Sequence, residues 1–102
     1  MSIELIKPEP GIYILGRKLG IPLKRSYIVL GSIQVIADVQ SSEKIDKVEF
    51  YVDDELLSTD KHEPYTFHWL KIYYFDNCEL KITAYSTLGQ KKSLTKTILR
   101  II

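Results

Sequence analysis

The sequence predicts an all-β protein, an antiparallel β-sandwich of about seven short strands without a disulfide. Three observations carry this. Apolar and polar residues alternate with a period of two along most of the chain, turn-forming residues punctuate the runs, and no segment has an apolar stripe at helical spacing. At 102 residues the chain is the size of one domain and can bury a core without staples. Its single cysteine, Cys78, excludes an internal disulfide.

Taken in order, Ile3 and Leu5 followed by Pro8 and Pro10 read as a short edge strand that ends in a turn at Gly11. Ile12 to Leu15 is a short apolar strand stopped by Gly16. Arg17 to Arg25, with Gly20 and Pro22, reads as a loop or irregular hairpin. In Ser32 to Val39, Ile33, Val35, Ala37 and Val39 share one face while Gln34 and Asp38 take the other. Gln40 to Glu43 is a polar turn. Lys47 to Val52 repeats the pattern, with Val48, Phe50 and Val52 inward and Glu49 and Tyr51 outward. Asp53-Asp54 then makes a tight hairpin, since aspartate tolerates a positive φ. Leu56 to Thr59 returns. Tyr65, Phe67 and Trp69 share the inner face of the next strand, with Thr66 and His68 outside. Leu80, Ile82 and Ala84 form a further inward set, Leu88-Gly89 a turn, and Ser93 to Ile102 a last β-rich run in which Leu94, Ile98 and Ile101 are candidates to cover the core. The expected core is therefore Val35, Val48, Phe50, Val52, Tyr65, Phe67, Trp69, Leu80, Ile82 and Ala84. No repeat and no linker interrupts residues 1–102, so they are read as one domain.

The composition narrows the function. Hydrophobic residues make up 45% and charged residues 26%, ordinary for a soluble globular protein. A net charge of +1 gives no field that favours nucleic acid or an anionic membrane. The basic pairs Arg17-Lys18, Lys24-Arg25 and Lys91-Lys92 are short, separated and read as solvated turns. No apolar run approaches the roughly 18 residues of a membrane span, so direct membrane insertion is not expected. The opening MSIELIKPEP has no charged-then-apolar signal pattern, and any signal lies outside this chain.

No catalytic machinery is legible. His62 and His68 lie near Asp60 and Glu63 in sequence, but a zinc site wants three or four converging ligands at a recognised spacing. His62 reads as a loop residue and His68 as the outward member of an alternating strand. No nucleophile elbow or glycine-rich oxyanion turn surrounds any Ser, Thr or Cys78, which reads as a small apolar residue where a strand begins. Asp53, Asp54 and Glu55 are carboxylates on a solvated hairpin tip, where one acid cannot be selectively desolvated for glycoside chemistry. The expectation is a non-catalytic protein without metal or other cofactor.

VEFYVDDELLSTDKHEPYTFHW followed by ELKITAYSTLGQ resembles the bacterial and archaeal immunoglobulin-like (fibronectin type III-like) modules of secreted and surface proteins. The resemblance rests on Val48 to Asp54, Pro64 to Trp69 and Leu80 to Gly89, and the opening KPEPGIYILGRKLGIPL is similar to the start of such modules. The lone cysteine sets the chain apart from disulfide-linked antibody-type domains. Asp54 replaces the usual hairpin glycine, Asp76-Asn77 a small residue, and Cys78 a common histidine. Ser86 and Gly89-Gln90 stand where members often have Asp and Gly-Asn. Modules of this kind that bind calcium use acidic oxygens at that last turn, so the replacement argues against such a site here. The resemblance implies an extracellular or cell-surface location and a piece of a larger multidomain protein.

The aromatics leave one surface to consider. Tyr73-Tyr74-Phe75 is consecutive, so its members cannot all face inward in an extended segment. Phe75 matches an apolar position of the resembled modules. Tyr73 or Tyr74, with Tyr51 and Tyr85 outward, would then form a tyrosine surface able to stack on a sugar ring or a partner protein. The plainer reading is cross-strand pairing on the outer faces of sheets. Three roles follow: a structural or spacer module whose partners are the adjacent domains of its polypeptide, an adhesive or carbohydrate-binding module that meets a glycan or another surface protein through the tyrosines, and an accessory domain beside an enzyme. The first is favoured.

Overall fold

The computed structural model describes residues 1–21, 23–70 and 76–101, with Asp76 and Ile101 as backbone only. Ten strands run through them: β1 (Ser2–Lys7), β2 (Gly11–Ile14), β3 (Arg17–Lys18), β4 (Tyr27–Leu30), β5 (Ile33–Gln40), β6 (Ile45–Val52), β7 (Glu55–Asp60), β8 (Tyr65–Trp69), β9 (Asp76–Ser86) and β10 (Lys91–Ile101). They form two sheets, one of order β1-β5-β8 and one of order β3-β2-β4-β10-β9-β6-β7. The described residues contain no helix, and the two sheets pack as a β-sandwich.

Each long strand buries alternate residues, because a pleated strand sends successive side chains to opposite faces. Ile33, Val35, Ala37 and Val39 of β5 and Tyr65, Phe67 and Trp69 of β8 face Val48, Phe50 and Val52 of β6 and Cys78, Leu80, Ile82 and Ala84 of β9, all buried. The sheets meet where Phe67 stacks on Phe50 at a centroid distance of 5.5 Å, with Trp69 6.3 Å further along from Phe67. Each fully buried Val, Leu, Ile or Phe contributes about 1.5–3 kcal/mol by leaving water. Ile98 completes the core from β10, while Leu94 is only half-buried.

The turns follow their residues. Asp53 and Asp54 have φ of 49° and 65°, and Val52 pairs with Glu55 across them, a two-residue hairpin with both residues left-handed. Asp53 also ties the hairpin to β9: its amide donates to the Glu79 carbonyl at 3.0 Å and its Oδ1 accepts from the Glu79 amide at 2.9 Å.

The structure differs from the sequence expectation in two respects. Ten strands replace about seven, because Arg17–Lys18 is too short to show a period and Tyr27–Leu30 (YIVL) is apolar at every position and shows no alternation. Nor is every pair antiparallel: β2 and β10 both run parallel to β4. Of these, β2 and β4 show no alternation in sequence and lie toward the β3 end of the larger sheet, while β10 is its middle strand.

Candidate functional site

The outer face of the larger sheet brings chemistry together at β6, β9 and β10. The register places Lys47 opposite Tyr85 and Tyr85 opposite Lys91 in one row, and Glu49 opposite Thr83 and Thr83 opposite Ser93 in the next. A third row pairs Tyr51 with Lys81 and Lys81 with Thr95. Tyr51 and Tyr85, both half-buried, therefore sit diagonally across Glu49, close enough for long side chains to meet.

Glu49 is the hub. Sequence alternation sends it outward, and the structure does so, yet only 8% of it is exposed because the two tyrosines close over it. The Tyr51 hydroxyl donates to Glu49 Oε1 at 2.8 Å, and the Tyr85 hydroxyl approaches the same carboxylate and favours its ionised form. Lys47 Nζ is 3.8 Å from Glu49 Oε2. These donors hold the Glu49 carboxyl below its ordinary range, the Tyr85 bond most strongly, then Tyr51 and the charges of Lys47 and Lys91, against the opposing effect of burial. The reciprocal effect raises both phenols: hydrogen bonding to the carboxylate comes first in each case, and burial adds to it.

The rings are occupied as well. Lys47 Nζ lies 4.9 Å and Lys91 Nζ 5.6 Å from the Tyr85 centroid, and Lys81 Nζ 5.5 Å from that of Tyr51. Such contacts are attractive through the ring quadrupole. Beneath them Thr83, 1% exposed, shares a 2.9 Å hydrogen bond with Ser93. The arrangement joins three strands by side-chain contacts and presents lysine ammonium groups, not bare phenol faces, to the solvent. Tyr73 and Tyr74, the other two residues of the expected tyrosine surface, lie outside the described residues, as does Phe75.

Other sequence candidates are dispersed. His62 is in the loop before β8, where its amide donates to Asp60 Oδ1 at 3.1 Å, and His68 points outward on β8. Among the described residues no three His, Cys, Asp or Glu gather in a way that would hold a metal ion. Ser86 is buried at the β9–β10 turn; its hydroxyl donates to Glu43 and accepts from the Gln90 amide, which locks the turn.

Two residues escaped sequence reasoning. Alternation places Glu49 outward and does not reveal its burial, though a signal existed: Lys47-x-Glu49-x-Tyr51 and Lys81-x-Thr83-x-Tyr85 repeat the same outward spacing on adjacent strands. Arg100 lay unremarked in the last run, yet it is fully buried with its guanidinium carbon 4.7 Å from the Trp69 ring centroid.

The comparisons agree with this architecture. Residues 22–93 match the family model described as a bacterial Ig domain. The chain belongs to the bacterial Ig domain family. Among solved structures, this bacterial Ig domain is similar to one described as fibronectin(III)-like modules of Clostridium thermocellum CbhA. The TM-score is 0.74 and the identity 23%. The likeness, which shows the fold, covers 99% of this chain and 47% of that one, so the present chain spans about half of that structure's length. No curated protein matches the sequence.

Proposed function

We propose that residues 1–102 are one non-catalytic module of a longer secreted or cell-surface protein, and that it acts as a spacer that positions the domains beside it. The observation that carries this reading is the placement of the first and last strands. β1 begins at the pole where Ser2 pairs with Gln40 and Lys92 Nζ donates to the Met1 carbonyl at 3.0 Å. β10 ends at the opposite pole, where Ile101 registers with Leu30. The sandwich is 40 Å along its longest axis, so neighbours joined at the two poles would be held apart by its length. The engaged state of Tyr51 and Tyr85 supports the same reading, since rings flanked by lysines and tied to Glu49 are poor sugar platforms.

A glycan array tests it. The 102-residue chain should bind no glycan; binding that Tyr74→Ala abolishes would instead assign an adhesive role to the tyrosine surface.

A further inference from the structure

The parallel end of the larger sheet carries an apolar row on its outer face as well as a buried row on its inner one. Tyr13, Val29 and Arg100 form a row that points into the core. Their neighbours point out: Ile12 registers with Ile28 and Ile28 with Leu99, and Ile14 registers with Leu30. Ile14 is 40% exposed and the other four are half-buried. Strands paired in parallel are normally covered on both faces and then lose their alternation, as GIYI and YIVL have. At the end of the strip stands Leu15, 76% exposed and with φ 49°, its amide bonded to the Leu30 carbonyl at 2.9 Å. A leucine gains nothing from burial there, and its branched side chain disfavours a left-handed backbone. Neither local conformation nor core packing accounts for it. Arg25, Asn77 and Thr97 rim a cavity of about 330 Å³ beside Ile28 and Leu99.

Size selects the occupant. Three strands by four residues, at about 4.8 Å and 3.3 Å spacing, cover roughly 200 Å², far short of the roughly 800 Å² per partner in a stable free association. A small apolar strip suffices where a tether supplies millimolar effective concentration. The tether is at hand, because β10 forms one margin of the strip and ends beside Leu30. We propose that this strip, with Leu15, seats the module that follows Ile102 in the same polypeptide. The inference rests on the module reading above and goes further by naming the face that sets the angle between neighbours.

The test compares the 102-residue chain with the parent polypeptide carried through its next folded module. Nitrogen-15 relaxation should give one shared tumbling time for both modules, and the Ile28 and Leu99 methyl resonances should differ from those of the shorter chain. Ile28→Thr with Leu99→Thr places β-formers at strand surface positions. It should leave each module's amide spectrum dispersed but give two separate, shorter tumbling times. Leu15→Asn should raise the melting temperature of the 102-residue chain by a few degrees while loosening the longer polypeptide; a fall in that temperature would make Leu15 merely structural and count against the proposal. Independent tumbling of the unsubstituted modules overturns the inference but leaves the module reading standing. So does concentration-dependent self-association of the 102-residue chain that Ile28→Thr abolishes, which would make a second copy the occupant. A parent gene without any adjoining domain overturns the module reading itself.

Discussion

Trp69 shows how much one side chain carries in a sandwich of this size. It is fully buried, stacks near Phe67, and forms the platform for the buried Arg100 guanidinium. Trp69→Ala should destabilise the fold by about 3–5 kcal/mol, read as a fall in the urea midpoint; unchanged stability would place the ring at a surface site instead. Glu49 makes the opposite point, because its environment is polar and its effect depends on pH. Its folded-state pKa is lowered, so the ionised form is favoured by folding. That contribution is fully present above the ordinary carboxyl value of 4.5 and is lost as pH falls through the lowered folded value. Glu49→Gln should therefore be less stable than the parent near neutral pH, with a gap that narrows below 4.5 in melts taken across the acid range. A gap of constant size would show that the loss does not come from the carboxylate's charge, and no gap at all would show that the tyrosines hold the neutral amide as well as the carboxylate.

At the scale of elements, the β6–β7 hairpin is legible down to its turn. Two aspartates between alternating runs signal the left-handed pair, and the structure adds the bonds from Asp53 to Glu79 on β9. Asp53→Ala removes both the tolerant side chain and an acceptor, and should cost about 1–2 kcal/mol in chemical denaturation, with Asp53→Asn largely restoring it. The long strands β5, β6, β8 and β9 are equally legible, since one buried face imposes a strict period of two. β4 is not: Tyr27 to Leu30 is apolar throughout, and periodicity alone cannot tell so short an apolar run from a segment of buried helix. β3, with two residues, is a product of its partner strand β2.

For the whole molecule, stability comes from one core between two sheets. Adding EDTA should leave the melting temperature unchanged, as checked by calorimetry with and without the chelator; a clear drop would reveal a metal that holds the fold together. The opposite placement of the first and last strands and the apolar outer strip are properties of the assembled sandwich.

The sequence by itself determined the β class, the inward residues of the long strands and the aspartate hairpin, because a period of two and turn chemistry are local. Only the tertiary structure decided that Tyr51 and Tyr85 close on Glu49, that Arg100 lies against Trp69, and that β2 and β10 flank β4 in parallel. Each of these depends on the neighbour a strand acquires, and strand order is set by packing between segments far apart in the chain.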